Sequence, residues 1–128
     1  MKPMSLDYSA WNVLIIELVF TLLFVSCILH NAFSRLSIQA DTVLALESVC
    51  VSYFFSILLA RNYTGAAINT TYAIVNILFV SFAKDSTYLR YLPAYLFGTL
   101  LGGILAGIVC KYIVMPFVPL YYEQMLDR

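Results

Sequence analysis

Charge is what this chain has least of: of its 128 residues only 11% are Asp, Glu, Lys or Arg, and seven acids balance seven bases. A water-soluble domain carries roughly a quarter of its residues as charges, so the sequence lacks the surface that water demands. No basic run occurs and formal net charge is zero, which leaves no electrostatic footprint for nucleic acid. Histidine is equally scarce. His30 has no carboxylate or Cys at ligand spacing, and an interfacial position is its expected role. Cys27, Cys50 and Cys110 stand far apart inside apolar stretches, where a thiol packs as a small hydrophobe, so neither a disulfide nor a metal site is expected. Nucleophile elbows and Gly-rich phosphate loops are missing too, and neither enzyme activity nor a cofactor is expected.

What the chain has in abundance is apolar sequence: 62% of residues, for a mean hydropathy of +0.90. That is the balance of a multi-pass integral membrane protein in a lipid bilayer, since a spanning helix needs about 20 mostly apolar residues. One all-α unit over 1–128 is expected. The first run covers about 10–33 and begins at Trp11, an interfacial anchor. It is too long for a cleavable leader and is expected to stay as a span. A polar turn over 35–41 leads to a second span over about 42–60. A third runs over about 88–115, with Pro93 in its first turns, where a missing N–H is tolerated. Its small residues Gly98, Gly102, Gly103, Ala106 and Gly107 predict a closely packed face. A tail over 116–128 carries interfacial Tyr121 and Tyr122 and a polar end.

Between the second and third spans the apolar pattern is interrupted. Thr64-Gly65-Ala66-Ala67-Ile68-Asn69-Thr70-Thr71-Tyr72 sets small and polar residues in sequence otherwise fit for lipid. Irregular backbone at that depth must be buried in protein or line a wet cavity, because hydrocarbon satisfies no peptide group. The helical part that follows, about 70–82, rises only about 20 Å, too short for a hydrocarbon layer about 30 Å thick. Two readings follow. In one, 63–83 is a re-entrant loop and half-helix whose N-terminus points free amides and positive dipole at the midplane, with Asn69 as cap and donor and Thr70, Thr71 and Gly65 around it. In the other, it is a fourth span with a polar face satisfied by its neighbours.

Glu17 lies midway along the first span, where a carboxyl must face the bundle interior and find partners. It serves either as acceptor for backbone amides of the interrupted segment or as a proton-relay group with Glu47.

Three stretches in this order resemble the aquaporin, or major intrinsic protein, family. Glu17-x3-Thr21-x2-Phe24-Val25 is similar to the family's opening helix, where a buried Glu holds the pore loop. Thr64-Gly65-Ala66-Ala67-Ile68-Asn69 resembles the lead-in to its Asn-Pro-Ala box. Tyr95-Leu96-Phe97-Gly98-Thr99-Leu100-Leu101-Gly102-Gly103 is similar to the face that packs at its repeat interface. The resemblance covers one half of the family's architecture, an aquaporin-like half repeat with three transmembrane helices and one re-entrant half-helix. The chain also departs from the pattern. Thr70 and Thr71 stand where the box has Pro and Ala, and Thr99 where a Gln is expected. The filter Arg has no counterpart, and the filter position on the second span falls at Val49.

A single half encloses no pore. The resemblance therefore implies an inverted second half, supplied either by a dual-topology homodimer or by another membrane subunit. Lys2, Arg61, Lys84 and Arg90 fall on one side of the membrane and Arg35, Lys111 and Arg128 on the other, too even a split to impose one orientation. Two functions are compatible with these residues: half of a passive pore for water or a small neutral solute, or a non-conducting accessory subunit of a larger membrane complex.

Overall fold

The computed structural model describes residues 9–32 and 42–116. The turn expected over 35–41, the tail beyond Pro116, and Lys2, Arg35 and Arg128 lie outside them. Four helices account for most of the described chain: α1, Ala10–Ala32; α2, Thr42–Ala60; α3, Thr70–Ala83; and α4, Leu92–Val109. No strand occurs among the described residues. Ser9 opens α1 by accepting the Trp11 amide on Oγ. A 3₁₀ turn, Ser86–Tyr91, leads into α4, and Pro93 follows in its first turn, where its absent N–H leaves no bond unmade. A wider π turn, Cys110–Val114, extends α4, so that Ser86–Val114 forms one apolar stretch of 29 residues. Together with Ala10–Asn31 and Val43–Ala60 this makes three helices long and apolar enough to cross a membrane; α3, with 14 residues, spans only about 21 Å.

The outward surface is what lipid requires. Val19, Leu23, Val51, Phe54, Phe79, Phe82 and Ile104 are all exposed, on a scale that would aggregate in water. Hydrocarbon supplies no hydrophobic drive between helices, so association falls to close packing of small residues. At Gly98 an added Cβ would lie 2.8 Å from the Leu14 carbonyl oxygen, and at Gly102 it would lie 2.6 Å from that of Leu18. Ala106, one turn on, is fully buried. These contacts advance together along both chains, so α1 and α4 run parallel. Gly103 and Gly107, expected on the same face, are not part of it: nothing lies within 4 Å of a Cβ placed on either. The helix advances about 100° per residue, which turns each of them away from α1.

Helix α2 runs antiparallel to α1. The Phe24 and Tyr53 rings meet at 4.9 Å, and Cys27 Sγ donates to the Ser48 carbonyl oxygen. Helix α3 lies antiparallel to α4, with Ala73 and Ile77 against Tyr91, Ala94 and Tyr95. The end of the bundle where α1 and α4 begin is therefore the end where α2 and α3 finish. From Arg61 the chain dips inward to Asn69, level with the middle of α1 and α4, and α3 carries it back to the end it left.

Candidate functional site

The dip over 61–69 is held at three heights. At its entry, Thr64 Oγ1 accepts the Ala66 amide at 3.2 Å, while the buried Tyr95 hydroxyl donates to the Thr64 carbonyl oxygen. The backbone then turns left-handed at Gly65 (φ +87°), Ala66 (+57°) and Ile68 (+49°). Glycine adopts that conformation freely, whereas the other two residues each incur roughly 1–2 kcal/mol, most severely the β-branched Ile68.

What offsets the strain comes from α1. Glu17, fully buried, accepts the Ala67 amide on Oε1 at 3.1 Å and the Ile68 amide on Oε2 at 2.8 Å. Ile68 meanwhile packs its side chain, 3% exposed, among Ile16, Phe20, Phe24 and Ile57. Leaving two such amides unsatisfied in a buried site would cost about 1–3 kcal/mol each, comparable to the strain. Both carboxyl oxygens are thus engaged by the loop backbone. Glu47 is exposed on α2 and does not approach Glu17, so the structure does not assemble the relay considered for this pair.

At the foot of the dip Asn69 takes extended backbone (φ −144°, ψ 124°) and caps α3. Its Oδ1 accepts the Thr71 amide at 2.9 Å and the Tyr72 amide at 3.3 Å. This fixes the side-chain rotamer and leaves Nδ2 as a donor without a partner among the described residues. Thr70 Oγ1 meets Thr99 Oγ1 at 2.7 Å, and the Thr99 hydroxyl donates to the Tyr95 carbonyl oxygen at 2.8 Å.

Asn69, Thr70 and Thr71 open onto a groove of about 520 Å³, walled by Thr21 and Val25 of α1 and by Leu100, Gly103 and Ile104 of α4. Gly103 thus belongs to the groove, where its missing side chain leaves room. Thr21 is 3% exposed, and its Oγ1 has no hydrogen-bond partner among the described residues. The positive end of α3 points into the same space. The result is a mostly apolar trough with the Asn69 side chain and the first turn of α3 at its foot. Val49 is half-buried on α2 and does not border the groove; Gly65 supplies the turn above it, not its wall. Thr21 and Tyr95 entered the sequence reading only as parts of longer motifs; each earns a role here through a partner more than 30 residues away or through the lack of one.

Outside the spanning stretches, Asp85 caps the 3₁₀ turn by accepting both the Thr87 hydroxyl and the Thr87 amide, which hold its carboxyl below the ordinary range. No group of three or more His, Cys, Asp or Glu side chains converges on a metal-sized space among the described residues.

Three lipid-length helices with a fourth, shorter helix starting at their centre define one half of a membrane-channel fold. The family model described as Major intrinsic protein matches residues 2–110, and the chain belongs to that family, the aquaporin superfamily of membrane channels. It is an integral membrane protein of a family whose members are channels, not enzymes, and which form oligomers. Neither the curated proteins nor the solved structures yield a significant match to it.

Proposed function

We propose that this chain is one half of a passive pore for water or a small neutral solute, completed by an inverted second half. The observation that carries this reading is Asn69, which lines the groove at the N-terminus of α3, its Oδ1 held by the cap and its Nδ2 without a partner among the described residues. A solute passing along the groove accepts from that amide, while the N-terminal dipoles of two such half-helices repel cations at the midplane. The second half is a further copy inserted the other way up, or another membrane subunit. Among the described residues Arg61, Lys84 and Arg90 lie at one end and Lys111 at the other.

A second reading is favoured by two observations. Thr70 uses its hydroxyl on Thr99, and no Arg among the described residues borders the groove, so the chain also suits a non-conducting accessory subunit that keeps the loop for its packing. Stopped-flow light scattering separates the two. Vesicles holding the folded protein alone are expected to shrink faster than empty ones under an osmotic step if copies of this chain pair, and equal rates would exclude a pore built from this chain by itself.

A further inference from the structure

Two of the positions at which this chain departs from the family pattern touch each other. Thr70 and Thr99 lie 29 residues apart in sequence and on different helices, yet their hydroxyl oxygens are 2.7 Å apart. Thr99 is 3% exposed, and its neighbours fix the direction of each proton. Its own goes to the Tyr95 carbonyl oxygen one turn back on α4, so its lone pairs are left to receive the proton of Thr70. We infer that Thr99 is a positioning residue: the Thr70–Thr99 hydroxyl relay locks the first turn of α3 to α4 and thereby sets the direction in which Asn69 presents its free amide.

The surrounding geometry gives this relay a defined share of the work. Tyr95 and Thr99, four residues apart on α4, grip the dip at its two ends, Tyr95 through the Thr64 carbonyl and Thr99 through the Thr70 side chain. Glu17 grips the middle from α1. The amides of Thr71, Tyr72 and Ala73 are bonded instead to Asn69, the first two to its side chain and the third to its carbonyl oxygen. Beside the packing of Ala73 and Ile77 on α4, the Thr70 hydroxyl ties the first turn of α3 directly to the α4 side chain opposite it. Removing Thr99 takes from the Thr70 hydroxyl its acceptor on α4, and removing Thr70 leaves Thr99 bonded only to its own helix.

The relay matters to function because it aims Asn69, and to that extent it rests on Asn69 being the working amide of the pore. Its test does not. Amide hydrogen exchange is measured on the full chain in lipid nanodiscs with no solute added, so a pore that fails to conduct leaves the result standing. Thr99→Val, which keeps the shape and removes the hydroxyl, is expected to speed exchange at the Thr71, Tyr72 and Ala73 amides by about five- to tenfold, the loosening that one lost hydrogen bond allows. Thr99→Ser is expected to restore wild-type protection. Thr70→Val is expected to match Thr99→Val, and the double variant is expected to exchange no faster than either single one. Exchange at the Ala67 and Ile68 amides, held by Glu17, stays unchanged and reports that the loop is intact. Wild-type exchange in Thr99→Val, failure of Thr99→Ser to rescue, or a double variant whose acceleration is the product of the two singles would overturn the relay. Should Thr99→Val not fold, Thr70→Val decides alone, since its half-exposed site tolerates the change and wild-type exchange there refutes the relay equally.

Discussion

Consider adding one methyl group to each of two adjacent glycines. At Gly102 the new Cβ would sit 2.6 Å from the Leu18 carbonyl oxygen, 2.9 Å from Thr21 Cβ and 3.2 Å from the Leu22 amide nitrogen. None of these atoms lies at the end of a flexible side chain, so no rotamer change relieves the clash. Ordinary contact begins at 3.4 Å, so α1 and α4 must part by about 0.8 Å, the difference between 3.4 and 2.6. Overpacking of that kind costs up to about 3 kcal/mol, and the better helix propensity of alanine returns about 1 kcal/mol, leaving Gly102→Ala less stable by about 2 kcal/mol. Gly103→Ala meets nothing within 4 Å and is expected to be neutral or more stable by up to about 1 kcal/mol. Reversible unfolding in mixed micelles, titrated with a denaturing detergent, measures both. Equal stabilities for the two variants would refute the parallel close packing of α1 against α4, because only the 100° rotation between neighbouring residues separates them.

Other substitutions address the loop and its cap. Glu17→Gln leaves one of the Ala67 and Ile68 amides facing an NH₂ group; a loss of about 3 kcal/mol and faster exchange at those two amides are expected, and wild-type exchange there would contradict the twofold acceptor. Asn69→Asp keeps the Oδ1 cap but removes the Nδ2 donor, so its unfolding midpoint should hold while osmotic water flux falls; Asn69→Ala should lose both, with about 1 kcal/mol of stability gone. Flux unchanged in Asn69→Asp would remove the amide from the conduction path. Asp85 has a carboxyl pKa lowered from 3.8 by its Thr87 bonds, so the turn's stabilisation is fully present above that value and is lost as the pH falls through the lowered one. The Thr87 amide resonance should follow that titration below pH 3.8 and stop doing so in Asp85→Asn.

Much of the architecture is legible in the order of residues because lipid imposes a coarse rule. Long apolar runs must become helices there, and the polar interval around Asn69 cannot lie free in hydrocarbon, so the membrane class, the three long helices and the short fourth follow from composition and length. A buried carboxyl such as Glu17 likewise announces that it needs donors. Which donors it finds is another matter, since Ala67 and Ile68 lie 50 and 51 residues away and carry no side-chain signal.

The three-dimensional arrangement alone decided the rest. Gly102 and Gly103 are indistinguishable as letters, and only the orientation of α4 on α1 makes one a contact and the other a gap. Thr21 is an ordinary threonine until its buried, unpartnered hydroxyl is seen in the groove wall. Thr70 and Thr99 read as two separate departures from a family pattern, and folding brings them to 2.7 Å, where they act as one. Composition fixes what each segment must bury or expose; hydrogen bonds between segments depend on ångström-scale register, which no local pattern encodes.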